Sequence, residues 1–153
     1  MVIVLISVEQ LCKKIGYMNL LENINLSLPS RQVTVIFGPN GVGKSTLLKI
    51  ISTLEPLTNG QILYHGQSVY TQLSKFRQAI GLVMHEPLAY PNLTAKENLK
   101  FFGKLYRAKD IEQRVENLLS EFGLSDQADQ PICLFSRGMM QKFMIAKACL
   151  LYT

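Results

Sequence analysis

The chain lacks the features that mark several large classes of protein. Its three cysteines, Cys12, Cys133 and Cys149, are too few and too scattered for a disulfide framework, and none forms a Cys-x-x-Cys pair. A reducing, cytosolic setting is the simplest expectation. Proline and glycine number only 6 and 10 of 153 residues, which excludes collagen-like and low-complexity chains. No apolar run approaches the roughly 18 residues needed to span a bilayer, so no span of its own is expected, although the chain can sit on a membrane face. The run Met1 to Ile6 has no basic region before it and no small-residue cleavage site after it, so it does not read as a signal peptide. Basic residues are spread out, with no run longer than Lys13-Lys14, no basic tail and no Arg interleaved with aromatics. A nucleic-acid surface is therefore not expected. Finally, carboxylates stop at Asp129, and the 24 residues beyond it contain no Asp or Glu.

What is present fits one domain with a real core. Apolar residues make up 48% and charged residues 18%, a globular composition. The net charge of +5 favours anionic partners such as nucleotides or lipid headgroups.

Along the chain, Val2 to Val8 alternates and predicts a strand. Ile24, Leu26 and Leu28 alternate with Asn25 and Ser27, a half-buried strand ended by Pro29-Ser30. Val33 to Phe37 is β-rich and bounded by a turn-forming stretch, which predicts a buried strand. Leu47 to Leu54 is apolar at helical spacing and stops before Pro56. Gln61 to His65 and Ile80 to Met84 read as further strands. Thr94-Ala95-Lys96-Glu97 has capping-box spacing and opens a helix with Leu99, Phe102, Leu105 and Tyr106 on one face. Asp110 to Phe122 predicts a helix closed by Gly123, and Ser136 opens a last helix rich in Met and Ala. The stripe Met139, Met140, Phe143 and Met144 in that helix reads as core rather than as a binding site. Strands dominate the first half and helices the second, which suggests an α/β core with an attached helical region.

One segment carries chemistry outright. Gly38-Pro39-Asn40-Gly41-Val42-Gly43-Lys44-Ser45-Thr46 matches G-x-x-x-x-G-K-[ST], between a β-rich run and an apolar helix. The glycines let backbone amides approach an anion, and the following helix adds its positive end. Lys44 is a point charge for β- and γ-phosphates, Ser45 offers a hydroxyl to Mg²⁺, and Thr46 can reach an α-phosphate. The plain alternative is an ordinary Gly-rich turn before a helix.

Read whole, Gly38 to Thr46 resembles the Walker A loop of ATP-binding-cassette (ABC) ATPases. Three other stretches agree in order and spacing. Val8 to Leu11 and Leu21 to Leu28 resemble the family's opening antiparallel strands. Tyr90-Pro91-Asn92-Leu93-Thr94-Ala95-Lys96-Glu97-Asn98-Leu99 resembles the segment after its Q-loop. Phe135-Ser136-Arg137-Gly138-Met139, with Gln141 and Ile145 to Ala148, resembles a variant of its signature motif and helix. The resemblance implies a P-loop NTPase core with an N-terminal antiparallel β-subdomain and a helical signature subdomain. Its expected divisions are 1–85 for core and β-subdomain, 86–138 for the helical subdomain, and 139–153 for the start of the return to the core.

The same resemblance implies roles. ATP and Mg²⁺ would be the cofactors, held by Gly38 to Thr46, with Lys44 catalytic and Ser45 on the metal. His85 stands where the family usually has the Q-loop glutamine; a neutral imidazole can accept from a metal-bound water or ligate Mg²⁺. Its plain alternative is a surface histidine at a strand end. The aromatic slot for adenine falls at Ile15, with Tyr17 two residues on, or Tyr17 is simply a turn residue. In the signature, Arg137 replaces the first of two adjacent glycines. Ser136, Arg137, Gly138 and Met139 would face the ATP of a second ATPase subunit in a head-to-tail dimer, the alternative being that Ser136 only caps a helix. A transmembrane permease subunit is the other implied partner, which places the protein in the cytoplasm on the inner face of the cell membrane. His85 and Ser136 to Met139 most resemble ATP-binding proteins of haem exporters in cytochrome c biogenesis.

Hydrolysis in this family needs a strand ending in Asp-Glu and a γ-phosphate-sensing histidine after the signature helix. No carboxylate follows Asp129, so the chain is expected to be the first two-thirds of the domain and inactive alone. Glu86, after the Ile80 to Met84 run, is the one substitute carboxylate to consider. Two other readings stay open: a nucleotide-binding module without turnover, and a soluble ABC ATPase of translation or repair.

Overall fold

The computed structural model describes residues 4–84 and 86–151. The chain forms two compact units, meeting in sequence between residues 77 and 78.

The first unit is built on two long strands, β1 (Val4–Ile15) and β2 (Met18–Pro29), joined at a two-residue turn where Ile15 pairs with Met18. Both extend well beyond the alternating cores that predict them. β3 (Asn59–Tyr64) pairs with the other edge of β1, and the short β4 (Gln67–Ser68) pairs with β3. The sheet is antiparallel throughout, in the order β2-β1-β3-β4. Its register shifts beside Gln10, which has φ 49. There Gly60 (φ 96) crosses so closely that a Cβ would lie 2.5 Å from the Gln10 carbonyl oxygen, so only glycine fits. Helix α1 (Lys44–Ile51) buries Leu47, Ile50 and Ile51, and its apolar 3–4 spacing is the reason it has a core face. Val8, Leu11, Ile62, Val69 and Phe76 complete the core, the last on α2 (Leu73–Gln78). Arg77 closes the unit's end by donating from Nε to Thr53 Oγ1 and from a terminal nitrogen to the Thr53 carbonyl, each at 2.9 Å.

Two expected strands are not strands. Residues 32–39 and 80–84 join no ladder among the described residues. Val33 and Phe37 stand 92% and 88% exposed rather than buried. β-Branched composition favours extended backbone, but a strand also needs a pairing strand for its amides and carbonyls, and no described strand pairs with these.

The second unit is helical. α3 (Ala95–Leu105), α4 (Ile111–Glu121) and α5 (Arg137–Leu151) pack on one another around Leu99, Val115, Leu119, Leu124, Ile132, Phe143 and Leu150. The capping box at the head of α3 is formed as its spacing predicts: the Glu97 amide donates to Thr94 Oγ1 at 3.1 Å and the Thr94 amide to Glu97 Oε2 at 2.8 Å. α4 starts one residue later than expected and stops before Gly123. In α5, Phe143 and Met144 are buried and Met139 and Met140 pack against the same core, so the methionine stripe is core.

Candidate functional site

Residues 38–42 are exposed, so the phosphate-loop sequence lies open to solvent. Its far end is tightly seated. Gly43 caps α1 with φ 97, and a Cβ there would lie 2.8 Å from Leu21 Cδ2 on β2. The turn into the helix thus requires glycine twice over, for its backbone angle and for its space.

α1 begins without compensation. No side chain caps its N-terminus, and its first turn holds no acidic residue. Its unpaired amides and positive dipole end are left for an outside anion. Lys44, the first helical residue, folds back over the loop, where its Nζ donates to the carbonyls of Gly38 at 2.6 Å and Pro39 at 2.7 Å. Those bonds hold an ammonium among the loop's backbone. Ser45 is exposed and Thr46 half-buried.

This donor set matches a polyphosphate: amides, a helix start and one fixed cation, with no carboxylate among residues 38–46 to repel it. It does not make a protein-only cation cage. Among the described residues, no group of three or more His, Cys, Asp and Glu gathers. A magnesium ion at this loop would be held by phosphate oxygens and water together with the Ser45 hydroxyl, which suits its preference for few protein ligands.

The other expected site residues are scattered. His85 lies outside the described residues. Glu86, its neighbour, is exposed. Ile15 and Tyr17, at the β1–β2 turn, are 57% and 106% exposed, open to a base but with no partner ring beside them among the described residues. Ser136, Arg137 and Gly138 are exposed at the head of α5, and Met139 is half-buried. The Met139 amide donates to Ser136 Oγ at 3.3 Å, so the serine caps α5, while its own hydroxyl proton stays available to an acceptor.

Sequence reasoning missed two buried polar side chains. Asn98 is fully buried on α3; its Oδ1 accepts the Tyr90 amide, and its Nδ2 approaches the carbonyls of Tyr90, Leu93 and Thr94. Lys147 is 7% exposed on α5. It sits four residues after Phe143 and three before Leu150, both core, so a lysine on an apolar face was the visible signal.

The ABC transporter family model matches residues 21–153. The chain is 35% identical over 146 residues to the linearmycin resistance ATP-binding protein LnrL of Bacillus subtilis (strain 168), covering 94% of this chain and 47% of LnrL. It is 33% identical over 150 residues to the glutamine transport ATP-binding protein GlnQ of Escherichia coli (strain K12), covering 94% and 62%. It therefore spans about half the length of LnrL and about three-fifths of GlnQ. Among solved structures, the ATP binding subunit of an ABC transporter aligns with a TM-score of 0.86 at 30% identity, covering 96% of this chain and 62% of that one. CbiO1 from Clostridium perfringens, part of the ABC transporter complex cbiONQ, aligns with a TM-score of 0.76 at 26% identity, covering 97% and 62%. An open phosphate loop at the head of α1, on an ABC ATPase fold matched over most of its length, places the chain: it belongs to the ABC transporter family of ATP-binding proteins.

Proposed function

We propose that this chain is the nucleotide-binding part of an ABC transporter's ATP-binding subunit, with Gly38 to Thr46 holding the triphosphate of MgATP. The observation that carries this reading is the start of α1, uncapped and beside the fixed ammonium of Lys44. Loop amides and Lys44 bind the β- and γ-phosphates, Thr46 approaches the α-phosphate, and Ile15 or Tyr17 covers one face of the adenine. Ser45 and His85 are the residues that would face a bound magnesium ion, which would supply charge neutralisation on the phosphates.

Ser136, Arg137, Gly138 and Met139 face the nucleotide of a second ATPase subunit, where an exposed hydroxyl, guanidinium and amide suit a γ-phosphate. The other partner is a transmembrane permease, which puts the subunit on the inner face of the cell membrane. The exposed pair Tyr90 and Phe101, ring to ring at 4.9 Å, supports a docking surface for it. Among the described residues no helix is long and apolar enough to cross a membrane. The haem-export reading rests on His85 and Ser136 to Met139 alone; the relatives named above concern linearmycin resistance and glutamine transport, and we assign no cargo.

For residues 1–153 taken alone, the second reading is binding without turnover. Titration with a fluorescent ATP analogue, with and without Mg²⁺, tests both. Micromolar binding that Lys44→Ala lowers by about a hundredfold or more is expected, since a charge-assisted contact is lost. Unchanged affinity in Lys44→Ala overturns the loop assignment. Steady phosphate release near 1 s⁻¹, the low end for ordinary enzymes, overturns binding without turnover.

A further inference from the structure

The segment that follows position 85 is held from two sides by buried polar groups that the nucleotide site does not use. From α5, Lys147 reaches it: Nζ donates to the Leu88 carbonyl at 2.5 Å and lies 4.7 Å from the centre of the Phe102 ring on α3. The next residue of α5 touches the segment upstream, where a Cβ on Gly81 would sit 3.1 Å from the Ala148 carbonyl oxygen. From α3, Asn98 binds Tyr90, Leu93 and Thr94. Gly81 thus lies close against Ala148 while Leu88 is bonded to Lys147, adjacent positions on α5.

A buried ammonium is a costly fastener. Burial alone pushes the Lys147 amine down to about 8, and among the described residues no carboxylate forms an ion pair with it. A methionine would fill the space without that cost, so the charge has no packing role that an apolar side chain could not serve. What the charge adds is direction. A carbonyl and a ring face are both ligands for a cation, and together they fix where the segment lies relative to the helix.

We propose that Lys147 is a positioning residue that locks the segment around Glu86 to Tyr90 onto α5, so that this segment and the 136–139 motif at the head of the same helix move as one body. The proposal deepens the transporter reading and rests on it for its purpose: a permease pressing on Tyr90 would be felt at Ser136. The lock itself stands on the contacts within the second unit.

The test uses this chain with Lys147→Met, Lys147→Arg and Phe102→Leu. Amide exchange at Ala89 and Tyr90 is followed by NMR, with thermal stability and ATP-analogue affinity measured on the same samples. Lys147→Met is expected to melt no lower than the parent yet to exchange about tenfold faster or more at both amides, as loss of a hydrogen bond to a charged group gives. Lys147→Arg keeps the charge and a donor, and should return exchange to within about threefold of the parent. Phe102→Leu should fall between the two, and it serves as the probe if Lys147→Met does not fold. Unchanged exchange in Lys147→Met or in Phe102→Leu, or an arginine variant as fast as the methionine one, overturns the lock. Loss of analogue binding by the parent would instead sink the nucleotide reading and leave the lock standing.

Discussion

Lys44 shows how a single side chain would prepare the proposed nucleotide site. Held by the Gly38 and Pro39 carbonyls, its ammonium is already in place, which would lower the ordering cost of binding a phosphate there. Gly43 is the matching backbone requirement. An alanine there must take φ 97 and push Leu21 aside, so Gly43→Ala is expected to destabilise the first unit by about 1–3 kcal/mol, read from urea unfolding. Both residues were legible in the sequence, because the loop motif encodes its own geometry. Lys147 was not, since its role depends on Leu88 and Phe102, far away in the chain. Its depressed pKa makes a separate prediction. The folded protein penalises the charged amine, so the penalty is full below about pH 8 and is relieved as pH rises from there toward the usual 10.5. Stability of the second unit should therefore rise across that window, and Lys147→Met should flatten the rise in a series of denaturant midpoints.

Among the elements, α3 was the most readable. Thr94 and Glu97 are three residues apart and each satisfies the other's amide, so no distant partner is needed. Thr94→Ala is expected to cost about 1 kcal/mol of stability by urea unfolding. The hydrogen bonds from the Thr94 amide and side chain hold the Glu97 carboxyl below its usual 4.5. Its contribution is present above that value and is lost as pH falls through the lower folded-state pKa, so acid unfolding of Glu97→Gln should begin less steeply than that of the parent. The strands behaved differently. The alternating cores of β1 and β2 were visible, but their length came from mutual pairing over most of Val4 to Pro29. Residues 33–37 have comparable β composition and no ladder, and composition alone does not separate the two cases. Amides of residues 33–37 should exchange orders of magnitude faster than those of Val8 and Leu11, as expected for backbone without partners. Equal protection would mean that they pair with a neighbour in solution.

At the scale of the whole molecule, the proposed binding loop lies in the first unit and the 136–139 motif in the second. The family resemblance was readable because its motifs are short, local and ordered along the chain, and the match over residues 21–153 agrees with it. The finer assignment to haem export found no support among the relatives, because it leaned on His85 and one variant tetrapeptide, too few residues to carry a cargo.

The sequence by itself determined the phosphate-loop motif, the capping box of α3 and the methionine-rich core of α5. Each depends on residues within a few positions of one another, where spacing alone sets the geometry. The tertiary structure decided which β-rich runs become strands and where a lysine is buried against a carbonyl and a ring. Those outcomes turn on pairing and desolvation between distant segments, whose free energies no local pattern records.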